Sequence, residues 1–142
     1  MHAEILKPVA ILILWSLVML AWTVVTRMPA MRKAGIDITK LVGGRGHQLD
    51  GRLPDRSLWA GHNYVHLMEQ PTLFYAAALA IAILGGGGRY AALAAWAYVV
   101  LRIVHSFVQT LYNRVIVRFV LFALSTTALV ALSVRAVTLA FA

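Results

Sequence analysis

The sequence predicts an all-α integral membrane protein: a single domain folded as a four-transmembrane-helix bundle. Three observations predict it. Of the 142 residues, 61% are hydrophobic and only 13% charged, and the mean hydropathy is +0.79, well outside the composition of soluble domains. Apolar runs recur along the chain at lengths that approach the ~30 Å hydrocarbon core of a bilayer. The net charge of +8 is concentrated in the polar stretches between those runs. That placement fits membrane orientation and anionic headgroups better than nucleic acid. No cysteine is present, which excludes disulfides and a cysteine nucleophile.

The first span covers about residues 5–28, with Pro8 in its opening turn, where a missing N–H costs little. The apolar run is long for a signal-peptide core, and Arg27-Met28-Pro29 offers no small-residue cleavage pattern. An uncleaved first helix is therefore expected. Residues 29–56 read as a long polar loop, with Gly35, Gly43, Gly44, Gly46, Gly51 and Pro54 and room for a short helical turn near its start. Loops of this length are uncommon unless they are functional or packed against something.

The second span covers about residues 57–84, opened by Asp55 or Ser57 as a cap. Its upper part, from Leu73 to Leu84, rises only about 18 Å, so part of the stretch from Trp59 to Gln70 must also reach membrane depth. That part carries His62, His66 and Glu69 on one face. Such polar groups should turn into a bundle or a subunit interface. Pro71 frees the carbonyl of Leu67 and predicts a kink.

Gly85 to Gly88 form a turn. The third span covers about residues 90–111 and the fourth about 115–139, and the short link between them makes them antiparallel neighbours. The first loop and third link hold most of the basic residues. The positive-inside rule therefore places the long loop in the cytoplasm and both termini on the other side.

One helix face of the third span carries Tyr98, Arg102, His105, Gln109 and Tyr112. Arg102 lies roughly 14 Å from the loop end, where an unpaired arginine is costly by about 3 kcal/mol or more. Glu69, the only acidic residue in a span, is the expected partner. That pair would either fix helix packing or orient a ligand in a polar cavity. Arg118 sits one turn beyond Arg114. Either arginine could snorkel to headgroups, and Arg118 with Arg102 and Arg32 could form a basic pocket for an anion with several carboxylates. His62, His66 and Glu69 also have a spacing that could hold a metal, but the pattern is short and lacks further ligands. Histidines bonding between helices explain it more simply. No phosphate-cradling loop and no Ser/His/Asp triad is supported.

Two stretches resemble a known family. His62-Asn63-Tyr64-(x)4-Glu69-Gln70-Pro71-Thr72-Leu73-Phe74-Tyr75 is similar to the second-helix signature of the MAPEG proteins (membrane-associated proteins in eicosanoid and glutathione metabolism). Tyr98-(x)3-Arg102-(x)2-His105-Ser106-(x)6-Asn113-Arg114-(x)3-Arg118-Phe119 is similar to the signature of a bacterial branch. The resemblance extends to the layout of four spans with the long polar loop first. It implies a homotrimer in the bacterial inner membrane, with glutathione as co-substrate bound between subunits near the cytoplasmic side.

The activity implied is that of a glutathione S-transferase or peroxidase acting on a small lipophilic electrophile that arrives through the membrane lipids. Arg118 takes the thiolate-stabilising, catalytic position. Arg32, His66, Glu69, Arg102, His105, Gln109 and Arg114 take the glutathione-binding positions. There are departures: His62 and His66 stand where family enzymes usually have arginine and asparagine, and Gln109 where eicosanoid-type members often have tyrosine. Phe119 and Phe122 replace polar residues found in some members. Eicosanoid synthesis is not implied. The alternative is a non-catalytic bundle that holds a lipid or another anion in the same pocket.

Overall fold

The computed structural model describes residues 3–142, all helix, turn or coil, with no strand among them. A short 3₁₀ turn leads into α1, Leu6–Lys33, followed by α2, Asp55–Glu69, α3, Pro71–Ile83, α4, Arg89–Leu111, and α5, Val115–Ala140. Three of these, α1, α4 and α5, are long and apolar enough to cross a bilayer. α2 and α3 are each too short, but Gln70 between them keeps helical dihedrals. The two together form one helical path of membrane-spanning length, at ~1.5 Å per residue.

α1 runs five residues beyond the expected limit, with Pro29 inside it. Proline costs the helix one hydrogen bond to Val25, and Ala30, Met31, Arg32 and Lys33 are good enough helix formers to carry on past it. The end is a Schellman motif. The N–H of Ile36 donates to the carbonyl of Met31 at 3.0 Å and that of Gly35 to Arg32 at 3.1 Å. Gly35 has φ +71°, a conformation that glycine adopts freely. Arg32 and Lys33 lie in the last turn, where positive charge meets the negative end of the helix dipole. The same motif, with Gly85 at φ +75°, ends α3.

The long connection is not a free loop. Asp37 accepts from the Thr39 N–H at 3.0 Å and its hydroxyl at 2.7 Å. These bonds hold the Asp37 carboxyl below its ordinary value. Leu53 and Met31 are buried together with Leu58, with Ile36 and Leu49 packed against them. This small cluster pins the connection between the end of α1 and the start of α2. Pro54 precedes α2, and the Ser57 hydroxyl donates to its carbonyl at 2.6 Å; neither Asp55 nor Ser57 caps the helix from outside.

α2 packs on α1 and α4, α3 on α5, and α4 on α5 along most of its length. The core is a column that includes Leu12, Met19, Leu67, Phe74, Ile81, Tyr98, Val99 and Leu132. Phe74 stacks on Tyr98 with ring centroids 4.5 Å apart. Large apolar side chains such as Leu14, Val25, Ile83, Val100 and Val130 face outward, as they must where the solvent is lipid. Hydroxyls inside the spans return to their own helices: Ser16, Thr23, Ser106 and Thr110 donate to carbonyls four residues back. This leaves few polar groups unspent in the core.

Candidate functional site

The polar groups of α2 and α4 meet at the break between α2 and α3. Pro71 and the helix ends on either side of it leave carbonyls without N–H partners, and Arg102 supplies donors from α4. Its Nη2 donates to the His66 carbonyl at 2.9 Å, and Nη1 lies 3.4 Å from His66 Nε2. The guanidinium also lies 5.8 Å from the Phe122 ring centroid. Arg102 is only 1% exposed. This corrects the expected ion pair with Glu69: the guanidinium ties off the end of α2, and Glu69 turns outward to bond His66 Nδ1 at 3.0 Å. The physical reason is that an end carbonyl is held at fixed distance by the backbone, while a Glu side chain can reach solvent.

His66 and His105 lie side by side, ring centroids 5.1 Å apart, and His66 also faces Phe122 at 5.5 Å. With Val115, Arg118 and Phe119 they line an open cleft of about 210 Å³ between α2, α4 and α5. Arg118 is held by its neighbour in the third link, donating from Nη1 to Asn113 Oδ1 at 2.7 Å. Asn113 has φ +51°, a left-handed conformation that Asn tolerates better than most residues. The link thus turns the chain and anchors the arginine with one side chain.

The structure therefore gathers Arg118, His66 and His105 around one cleft, with Glu69 behind His66 and Arg102 beneath it. It does not bring the other expected residues there. Gln109 is buried in the bundle and accepts from Asn63 at 3.0 Å. Arg114 is exposed at the start of α5. Arg32 lines a separate cavity of about 450 Å³ with Met28, Ile36 and Asp37 at the end of α1. The basic pocket expected from Arg32, Arg102 and Arg118 together does not form within one chain. Nor do His62, His66 and Glu69 converge, since His62 Nε2 lies 3.1 Å from Asp50 Oδ1 instead. Among the described residues no three metal-ligating side chains gather.

Residue-by-residue reading missed Arg27. Its guanidinium packs on Gly61, in the space that a Cβ there would take. It shares a cavity of about 510 Å³ with His47, Asp50 and His62. The available signal was a glycine inside an otherwise regular helix.

The decisive comparison covers nearly the whole chain: residues 5–138 match the model of the MAPEG family. The chain belongs to the MAPEG family. This agrees with the all-helical bundle and its three long apolar helices and makes the protein a membrane protein of the group concerned with glutathione and eicosanoid metabolism. No curated protein and no solved structure was found to match it.

Proposed function

We propose that this MAPEG protein is a glutathione-dependent transferase or peroxidase acting on lipophilic electrophiles, working as a homotrimer. The observation that carries the reading is the cleft itself. A fixed guanidinium, Arg118, lines one cleft with two imidazoles at the edge of a largely apolar bundle. A cation beside a thiol favours its ionised form and so makes a better nucleophile. The apolar side chains Val115, Phe119 and Phe122 in the same cleft suit a second substrate delivered from lipid.

The cleft's size supports assembly. At about 210 Å³ it falls below the roughly 300–1,000 Å³ of sites that enclose a small ligand, so one chain offers a wall rather than a complete site. A neighbouring copy would supply the other wall. Arg32 and Arg114, which stand apart from the cleft within one chain, belong in this reading to the glutathione carboxylates across the subunit boundary. Arg102 and Gln109 act from beneath by fixing α2 against α4. His66, His105 and Glu69 complete the polar side. The excess of basic residues in the long connection favours a cytoplasmic side for it, and in this reading the membrane is a bacterial inner membrane. Membrane lipids and the small lipophilic substrate are the remaining partners, and nucleic acid has no part.

The test is turnover and binding by the purified protein in detergent or nanodiscs. Conjugation of glutathione to a hydrophobic electrophile, greatly lowered by Arg118→Ala, supports the reading; neither binding nor turnover by the wild-type protein refutes it. If the pocket instead holds only a lipid or another anion, co-purified lipid will resist exchange by glutathione.

A further inference from the structure

Forming a thiolate requires somewhere for the proton to go, and Arg118 cannot take it, because a guanidinium only donates. The cleft holds two imidazoles, and the structure distinguishes them. His66 Nδ1 lies 3.0 Å from Glu69 Oε2. Its Nε2 lies 3.4 Å from Arg102 Nη1. Arg102 must be the donor in that second contact, so Nε2 carries the lone pair and Nδ1 the hydrogen that Glu69 accepts. At 3.4 Å the arginine's hold on the lone pair is weak. His105 is buried and lines the same cleft, but it has no hydrogen-bond partner among the described residues that would fix its tautomer.

We propose that His66, oriented by Glu69, is the general base that accepts the thiol proton of the co-substrate in this cleft. The proposal rests on the glutathione-dependent reading above. In the step, the S–H bond breaks and its proton passes to His66 Nε2. The electron pair stays on sulfur as a thiolate facing Arg118. The thiolate then forms a C–S bond as the electrophile's leaving group departs with its own electron pair, and the imidazolium releases its proton to that group or to water. Charged groups face the imidazole from three helices. Glu69 on its own helix favours the imidazolium. Arg102 on α4 and Arg118 on α5 oppose it, and His105 contributes no charge while neutral. Glu69 is then a positioning residue that both fixes the tautomer and supports the charge, as carboxylates do for catalytic histidines elsewhere.

The experiment is a pH profile of kcat/KM for full-length wild type, His66→Asn and Glu69→Gln in nanodiscs, with glutathione affinity measured by calorimetry. Asparagine can keep polar contacts with Glu69 and Arg102 but cannot take a proton. His66→Asn is expected to lower kcat/KM at neutral pH by about 10²-fold, within the range for losing a general base. It should recover as pH rises toward the thiol's own ionisation, and the rate loss should exceed whatever glutathione affinity is lost with the side chain. Glu69→Gln removes the charge that favours the imidazolium, so its acid limb should move to lower pH with a reduced plateau. An unchanged profile in His66→Asn, or an affinity loss that accounts for its whole rate loss, overturns the proposal. If wild type neither binds nor turns over glutathione, the functional reading fails and the proposal with it. If wild type does both while His66→Asn keeps its profile, the proposal alone fails.

Discussion

Removing Arg118 tests the electrostatic basis of the proposed chemistry. The side chain lines the cleft and is fixed by one charge-assisted hydrogen bond, 2.7 Å to Asn113. A thiolate at about 4 Å from a guanidinium gains about 4 kcal/mol at an effective dielectric near 20. The cleft is open on one side, so solvent screens part of this, and about 2 kcal/mol is the reasonable share, or roughly thirtyfold in rate. Arg118→Ala should therefore lower kcat/KM by thirtyfold or more, and Arg118→Lys should recover only part of it, because an ammonium lacks the planar fork that reaches Asn113. The assay is conjugation of a chromogenic hydrophobic electrophile, read beside the ultraviolet absorbance of bound thiolate. Wild-type rates and an undiminished thiolate band in Arg118→Ala would refute the reasoning.

Asn113→Gly should keep the left-handed turn yet lose the hydrogen bond, lowering the rate about fivefold at near-normal stability, whereas Asn113→Ala should also lose about 1 kcal/mol of stability; thermal melting in detergent separates them. Phe74→Ala removes a fully buried ring stacked on Tyr98 and should cost about 3 kcal/mol in the same melts, since the cavity term persists in a membrane. Asn63→Ala leaves Gln109 Oε1 buried without its donor and should cost about 1–2 kcal/mol; a double-mutant cycle with Gln109→Ala should show coupling, and strict additivity would argue that the pair is not formed.

The bundle was legible because lipid imposes apolar runs whose length and separation can be counted directly. The chemistry was legible as residue types: the polar stripes of α2 and α4 do meet, at the depth forced by the short apolar part of α3. The pairings were not. Glu69 was matched to Arg102 by charge, but Pro71 creates unpaired backbone acceptors nearby, and a fixed carbonyl outcompeted a flexible carboxylate. Pro71 had flagged that possibility through the freed Leu67 carbonyl, one residue from the one Arg102 meets. Gln109 lies on the expected helix face, yet Asn63 opposite it draws it into the core, a contact no spacing within one helix reveals. Arg32 lies beyond the cleft because α1 runs on past Pro29, where a proline read alone suggests a stop. Arg27 was hidden because its partner is the missing side chain of Gly61.

The most direct test of the account is a calorimetric titration of the purified wild-type protein and Arg118→Ala with glutathione, with oligomeric state recorded on the same samples. The account predicts saturable binding to a trimeric wild-type protein and ionisation of the bound thiol that is lost in Arg118→Ala. A well-folded trimer that takes up no glutathione would contradict it.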